Sequence, residues 1–227
     1  MHPLHGFWPL YGLRLINGAL ELRLPDEADL AALAELARRG VHDPDEMPFS
    51  TPWTDAPPEK RARATVQWQW RQRAAWTPAD WHLELVAVEG GRVVGSQGLF
   101  AKDFAVTRQV DTGSWVGREL HGRGIATRMR QAVLHLAFAG LGASVARSGA
   151  FSDNHASLRV SEKLGYVSDG TETFARRGAP ATMVRLALTR QAWDSAPRPP
   201  VRIEGLDGCI GDFGLTTHAV HGPLTPF

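Results

Sequence analysis

Two closely spaced glycines near the middle of the chain could hold an anion. The segment Gly113-Ser-Trp-Val-Gly-Arg-Glu-Leu-His-Gly-Arg-Gly-Ile-Ala126 joins a predicted strand to a predicted helix, and Gly122 and Gly124 stand just before the helix. Glycine lets the backbone turn tightly and approach a ligand, and the first N–H groups of a helix have no partner within it. The same end of the helix carries a partial positive charge. The sequence therefore predicts a site for an anion, most naturally a phosphate.

Two common phosphate-binding patterns do not fit this turn. The Rossmann fingerprint needs a third glycine where Thr127 stands, and no acidic residue ends a second strand about 20 residues on. The P-loop needs a lysine and a hydroxyl residue after its second glycine, whereas Gly122 is followed by Arg123 and Gly124. The pattern that remains is (Gln/Arg)-x-x-Gly-x-(Gly/Ala), present as His121-Gly-Arg-Gly-Ile-Ala126.

This segment resembles motif A of the GNAT superfamily of N-acyltransferases. Downstream, Asp153-Asn-His-Ala-Ser-Leu-Arg-Val-Ser-Glu-Lys-Leu-Gly-Tyr166 resembles the matching N-x-x-S-x-x-x-x-E-K-x-G-(F/Y) motif. The likeness covers residues 7–194 and is strongest to the ribosomal-protein-alanine acetyltransferase branch. Three stretches, GVHDPDEMPFSTPW, KDFAVTRQVDTGSW and SEKLGY, are similar to an actinobacterial member described as a succinyltransferase. The paired motifs are specific for the superfamily, but they do not assign the acyl donor.

The resemblance implies that acetyl-CoA or succinyl-CoA binds as co-substrate. It places the backbone of Trp115 and Val116 along the pantetheine, with a hydrogen bond from Asn154. For the side chain of Trp115 the alternative is a core residue, and for Asn154 it is the N-cap of the next helix. His121 departs from the usual Gln or Arg, and a neutral imidazole donates fewer hydrogen bonds to phosphate. The residues expected at the pyrophosphate are His121, Gly122, Arg123, Gly124, Ile125 and Ala126.

The catalytic groups also follow from the resemblance. Ser157 corresponds to the serine that protonates the departing CoA thiolate, although a serine in a first helical turn is often only a capping or solvent-facing residue. An amine must lose its proton to attack a thioester, so a base is needed. Asp111 stands where the family frequently has a Glu; it is one methylene shorter, which favours a bridging water, and its alternative is a surface carboxylate. Tyr166 resembles the usual acid of other superfamily members, but after Glu162-Lys-Leu-Gly165 it is expected to be a packed aromatic residue.

The elements around these motifs predict an α+β fold. Short strands precede a helix that Asp26 opens and Gly40 closes, followed by the proline-rich loop 41–58 and a helix over 59–76. Glu89-Gly-Gly91 joins a hairpin, and a strand over 107–117, a helix over 122–140 and a strand over 143–149 form one crossover. The resemblance implies a mixed, mostly antiparallel sheet of about seven strands, flanked by helices and splayed at the CoA site. Residues 1–194 form the acyltransferase domain, and 195–227 are expected to be an appendage outside the core.

Composition narrows the class of protein. The chain has 227 residues, 25 basic against 24 acidic, which argues against a nucleic-acid binder. A single cysteine, Cys209, rules out an internal disulfide, disfavours a cysteine-ligated metal site and, lying in the appendage, disfavours transfer through an enzyme thioester. No apolar run spans a bilayer and the N-terminus lacks the pattern of a secretory signal, so a cytoplasmic protein with no membrane or metal partner is expected.

The predicted reaction is direct attack of a primary amine on an acyl-CoA. The acceptor, a small molecule or a protein, is expected to meet loop 41–58 and the tryptophan-bearing helix 59–76. If the acyl group is succinyl, His42 and Arg108 are candidate partners for its carboxylate. The alternatives are a non-catalytic acyl-CoA sensor of the same fold and a peptide-recognition module indifferent to CoA. Members of this branch are often dimeric, which makes a homodimer an expected assembly.

Overall fold

Nine β-strands form one mixed sheet at the centre of the computed structural model, which describes residues 2–216. In chain order they are β1 Arg14–Asn17, β2 Leu20–Arg23, β3 Asp80–Glu89, β4 Arg92–Lys102, β5 Gln109–Val116, β6 Val145–Phe151, β7 Val167–Arg176, β8 Ala179–Thr189 and β9 Arg202–Glu204. Across the sheet the order is β7-β8-β6-β5-β4-β3-β2-β1-β9. Every neighbouring pair is antiparallel except β5 and β6, which run parallel. The predicted α+β class and mostly antiparallel sheet are confirmed, with nine strands in place of about seven.

Helices cover both faces of the sheet. Helices α1 (Glu27–Arg39) and α2 (Pro58–Ala75) pack together and against β3 and β4 on one face. On the other face, α4 (Ile125–His135) contacts β1, β2, β4 and β5, and α5 (His155–Leu164) packs beside it. Two shorter helices, α3 (Phe104–Thr107) and α6 (Arg190–Asp194), lie in connections. We call the two sides of the sheet the α1/α2 face and the α4 face.

The first helix has the predicted boundaries for the predicted reasons. The Asp26 side chain accepts a hydrogen bond from the Asp29 amide at 2.8 Å, and the Asp29 side chain accepts one from the Asp26 amide. Together these two bonds form a capping box. Gly40 ends the helix at φ 125°, a backbone conformation that favours glycine. The end of this helix sets where loop 41–58 leaves the α1/α2 face.

The crossover helix is shorter than the predicted 122–140. Gly122 and Gly124 lie at φ 77° and 72°, in the left-handed region, so the helix begins only at Ile125. Beyond His135 the chain continues through a π-helical turn over Leu136–Gly140. The two glycines therefore form a turn before the helix and leave the first amides of α4 facing outward.

The C-terminal segment corrects the expectation of an appendage outside the core. Strand β9 pairs antiparallel with β1 and forms the edge of the sheet. Ile210 and Phe213 are buried in the main hydrophobic core. Trp76, which directly follows α2, donates a hydrogen bond to the Asp212 carbonyl at 2.9 Å. The proline- and glycine-rich composition hid these anchors. Residues 217–227 of the predicted appendage lie outside the described residues.

Strands β5 and β6 separate part-way along their length. Their parallel register runs from Gln109 opposite Val145 to Asp111 opposite Arg147 and stops there. Both strands continue in the same direction, β5 to Val116 and β6 to Phe151, without pairing with each other. We call this opening between β5 and β6 the splay; it was expected at this place in the sheet.

Candidate active site

The glycine turn lies at the wide end of the splay. Gly124 occupies the N-cap position of α4, and no side chain caps the first amides of the helix. The turn residues 121–124 are exposed, and a β-carbon built on Gly122 or Gly124 would meet nothing within 4 Å. The free N–H groups of the first helical turn therefore face open space, which is the geometry that the predicted anion site requires.

His121 is turned toward the strand that it follows. Its Nε2 lies 3.1 Å from the Val116 carbonyl oxygen and donates a hydrogen bond to it. This contact fixes the imidazole against the end of β5, with its remaining nitrogen, Nδ1, as the only ring atom left to face a ligand. The side chain of His121 therefore shapes the turn more than it supplies donors to a phosphate.

The backbone of β5 presents alternate residues to the splay. The Gly117 amide donates to the Val94 carbonyl of β4 at 3.1 Å, which fixes the phase of the antiparallel ladder. Trp115, two residues earlier, consequently directs its amide and carbonyl toward β4, whereas Ser114 and Val116 direct theirs into the splay. This corrects the expected backbone pairing of Trp115 with pantetheine: Val116 has the right direction, and Trp115 can contribute only its side chain.

A fully buried arginine lies beneath the splay on the α4 face. Arg130 of α4 donates to Ser161 Oγ of α5 at 2.8 Å and approaches Ser114 Oγ of β5 at 3.5 Å, while its Nε has no hydrogen-bond partner in the described chain. Burial lowers the pKa of Arg130, but an arginine side chain stays protonated in proteins. Nearby, Tyr166 is buried, and burial raises the pKa of its phenol, as suits the packed aromatic residue that was predicted.

Helix α5 starts at the same edge of the sheet as α4. The Asn154 side chain accepts a hydrogen bond from the Ser157 amide at 3.0 Å, so Asn154 is the N-cap of α5. Its Oδ1 is engaged in the cap, and its Nδ2 is the group that remains for a ligand. Ser157 is half-buried in the first helical turn, and its hydroxyl makes no hydrogen bond within the described chain.

The three central strands form a grid of side chains on the α1/α2 face. Cross-strand register and the period-2 alternation of side chains place one residue of β3, β4 and β5 side by side in each row. Asp111 is half-buried in the first row, and burial raises the pKa of its carboxyl against the opposing effect of Arg147. The rows of this grid are His82, Phe100 and Asp111; Glu84, Gly98 and Gly113; and Val86, Ser96 and Trp115.

Loop 41–58 lies over this grid. An aromatic series runs from Phe49 to Trp53, whose rings are 5.3 Å apart, and on to Trp115, 5.9 Å from Trp53. Two arginines of the β7–β8 hairpin hold the loop from the other side of the splay. Arg176 donates to the Met47 carbonyl at 3.2 Å and Arg177 donates to Asp55 at 3.0 Å. We call Arg176 and Arg177 the clasp.

The clasp also reaches the start of α5. Arg176 donates to Asp153 Oδ1 at 2.9 Å and holds the pKa of that carboxyl below its usual range. Asp153 directly precedes the helix cap Asn154. Loop 41–58, the hairpin and the N-terminus of α5 are thereby joined into one rim around the splay.

The two residues suggested for a succinyl carboxylate have other contacts. His42 is bound within its own loop, with Nδ1 2.7 Å from the Asp43 carbonyl and Nε2 2.7 Å from Thr54 Oγ1. Arg108 lies at the start of β5, at the opposite end from the glycine turn, and donates to the Leu141 carbonyl at 3.3 Å. Neither side chain points into the splay.

Comparison with known families fits this geometry. The model of the "Acetyltransferase (GNAT) domain" family matches residues 19–167, about two thirds of the chain. The chain belongs to this family. The matched range includes the glycine turn, the splay, the grid and helix α5.

Several solved acetyltransferases share the GNAT fold of this chain. An acetyltransferase of the GNAT family from Bacillus anthracis superposes with a TM-score of 0.63 at 17% identity, covering 78% of this chain and 99% of its own. The ribosomal L7/L12 alpha-N-protein acetyltransferase in complex with coenzyme A gives 0.60 at 16%, covering 78% and 97%. The ribosomal-protein-S5-alanine acetyltransferase from Vibrio fischeri gives 0.59 at 16%, covering 81% and 99%. At sequence identities of 16–17%, the likeness to these structures shows a shared fold and does not extend to their substrates.

Several features of the site were not predicted from the sequence. Glu84 and His82 lie in the grid, Arg130 lies beneath the splay, and the clasp closes the rim. A signal for the first pair was present: in Trp81-His-Leu-Glu-Leu85 the polar residues alternate with apolar ones, which places both on one face of a strand. Their proximity to Gly98 and Gly113 depends on strand register, which the sequence does not display.

A cavity lies beside the glycine turn and not within the splay. It has a volume of about 630 Å³ and is lined by α1, the β3–β4 turn, Arg123 and Ile125. Its lining carboxylates, including Glu89 and Glu119, are paired with arginines. The candidate active site is therefore an open groove defined by backbone geometry.

Among residues 2–216, no helix combines the length and the apolar character that spanning a bilayer requires.

Proposed function

We propose that this GNAT protein transfers an acyl group from acyl-CoA to a primary amine. The observation that carries the proposal is the meeting of two features: a splay in which the Val116 amide has no partner in β6, and an uncapped helix N-terminus at its wide end. The first suits an extended amide-bearing arm and the second suits a pyrophosphate. Acetyl-CoA is the donor that the family supports, and succinyl-CoA is the alternative donor that the sequence resemblance adds.

The residues take distinct positions around the bound CoA. The amides of residues 123–126 bind the pyrophosphate, with Gly122 and His121 shaping the turn. Val116 pairs with the pantetheine through its backbone, Trp115 packs beside it, and Asn154 offers its amide Nδ2 from the start of α5. This arrangement directs the thioester toward Gly113, where the grid meets the splay.

The reaction is direct attack within a ternary complex. The amine nitrogen bonds to the thioester carbon, the C–S bond breaks, and the products are an N-acylamine and CoA. Asp111 accepts the proton that the amine loses, directly or through a water, because its raised pKa makes it a better base than an exposed aspartate. Ser157 donates a proton to the departing thiolate from the first turn of α5.

Isothermal titration with acetyl-CoA and succinyl-CoA tests this proposal. We expect at least one ester to bind with a Kd below about 1 mM. Ser157→Ala should leave that binding unchanged, because the cap of α5 is made by Asn154 and the Ser157 backbone. Acyl transfer to an amine, measured as release of free CoA thiol, should be slowed in this variant. Failure of both esters to bind would overturn the proposed function.

A further inference from the structure

The middle row of the grid leaves a bare patch of sheet beside the splay. A β-carbon built on Gly113 would meet only Phe100 Cε1, at 3.9 Å, whereas one built on Gly98 would lie 2.9 Å from Glu84 Oε1 and 3.1 Å from His82 Nε2. The carboxylate of Glu84 therefore lies over Gly98 and is directed toward Gly113. Since neighbouring strands are about 4.8 Å apart, the carboxylate is about one strand spacing from the bare patch.

Two hydrogen-bond donors hold the Glu84 carboxylate in this direction. The Trp68 indole N–H of α2 donates to Oε1 at 3.1 Å, and the Ser96 hydroxyl of β4 donates to Oε2 at 2.9 Å. Gln69 donates in turn to the Ser96 hydroxyl at 3.3 Å. The carboxylate is thus fixed by residues of two elements, α2 and β4, as a binding group is when it must meet a ligand in one geometry.

Glu84 lacks a permanent counter-ion within residues 2–216. Its side chain is only 12% exposed, and the one basic group within ion-pair distance is His82, whose Nε2 lies 2.9 Å from Oε1. That nitrogen is buried and not aligned for a hydrogen bond with the carboxylate. A carboxylate removed from water is costly unless a cation is close to it, so this position is suited to a cation that arrives with the ligand.

We propose that Glu84 is the counter-ion of the acceptor amine, and that the acceptor is an alkylammonium cation. The proposal rests on the proposed acyl transfer and names its second substrate class. The ammonium group lies over Gly113, between Glu84 on one side and the thioester in the splay on the other. Trp115 lies in the next row of the grid, two residues from Gly113, and its indole packs against that of Trp53 at 5.9 Å. Aromatic faces also attract cations.

His82 is a positioning residue in this arrangement. Its ring packs against Phe100, with centroids 4.4 Å apart, and against Trp68 at 5.5 Å. These contacts hold the imidazole beside the carboxylate and keep the edge of Gly98 filled. The ammonium is consequently directed to Gly113, the open position nearer the splay.

The test uses a cation and a neutral molecule of nearly the same shape. Benzylamine and benzyl alcohol are titrated into the full-length protein saturated with CoA. We expect the wild type to bind benzylamine more tightly, and Glu84→Gln to weaken benzylamine by about tenfold to a hundredfold, the worth of a hydrogen bond to a charged group. The affinity for benzyl alcohol should not change.

Two further variants separate recognition from folding. Gly113→Val fills the bare patch without touching Glu84, and its β-branched side chain suits a strand, so it should retain stability and lose benzylamine binding. Glu204→Gln removes an exposed carboxylate of β9, at the far edge of the sheet, and should bind both probes as the wild type does.

The outcomes distinguish the two proposals. Equal binding of both probes by the wild type, or a preference for benzylamine that survives in Glu84→Gln, would refute the role of Glu84. CoA is also titrated separately into the same preparations. Failure of the wild type to bind CoA would instead refute the proposed function.

Discussion

The glycine turn gives a prediction in which strain and ligand binding can be separated. Gly124 lies at φ 72°, and Gly91, in the β3–β4 turn, lies at φ 74°; a β-carbon on either would meet nothing within 4 Å. Alanine at each position therefore suffers the same backbone strain and no clash within the protein. A left-handed conformation costs an L-residue about 1 kcal/mol. For a domain of this size that lowers Tm by roughly 2–4 °C.

Only the Gly124 variant should also lose CoA. Its methyl group would stand where the backbone approaches the pyrophosphate, at the N-cap of α4. Loss of one amide hydrogen bond to a charged oxygen is worth about 1.5–3 kcal/mol, or roughly ten- to 150-fold in Kd. Gly91→Ala should bind CoA as the wild type does, although its Tm falls equally.

Calorimetric titration of CoA and thermal unfolding of the three proteins provide the assay. Equal CoA affinity in Gly124→Ala and Gly91→Ala would show that the turn only reverses the chain. A much larger loss of Tm in Gly124→Ala than in Gly91→Ala would show that the turn is held by contacts that the structure does not contain. Either result would refute the reasoning from open space and left-handed backbone.

Three other perturbations follow from the same geometry. Asp111→Asn should lower kcat by about 10²–10⁴. Because burial raises the pKa of Asp111, the wild type loses stability as pH rises from the unfolded-state pKa to the folded-state pKa of this carboxyl. The Tm of the variant at pH 7 should therefore equal or exceed that of the wild type when both are measured as a function of pH. Arg177→Ala should change Tm little, because its ion pair with Asp55 is exposed, but it should speed chymotryptic cleavage at Phe49 or Trp53. Arg185→Ala breaks a comparable exposed ion pair and should not speed this cleavage. Burial raises the pKa of Cys209 to about 12, so iodoacetamide should label it only after unfolding, and rapid labelling of the folded protein would contradict its buried position.

Local signals in the sequence predicted the parts of the fold that depend on local physics. Asp26 and Gly40 marked the ends of α1 because capping and left-handed termination involve neighbouring residues only. Gly122 and Gly124 marked the turn for the same reason. The resemblance to the GNAT motifs then supplied the long-range arrangement, including the splay, which no local pattern in the sequence specifies.

The errors have a common cause in long-range register. Whether Trp115 directs its backbone to β4 or to the splay depends on the hydrogen-bond phase set by Gly117 and Val94, more than twenty residues apart in sequence. Strand β9 was missed because its partner, β1, lies at the other end of the chain. Glu84 looked like an ordinary strand residue until register placed it beside two glycines of other strands.

The two carboxylates of the grid lie in environments that separate their roles. Glu84 accepts hydrogen bonds from Trp68 and Ser96, which fix its position and suit it to hold a cation. Asp111 has no hydrogen-bond partner within the described chain, and burial raises its pKa, which suits it to take a proton. One carboxylate near a reactive amine would have to bind the ammonium and deprotonate it, and each role weakens the other. Two carboxylates in adjacent rows of the grid remove that conflict. Glu84 draws in the ammonium group, and Asp111 takes the proton that the amine loses.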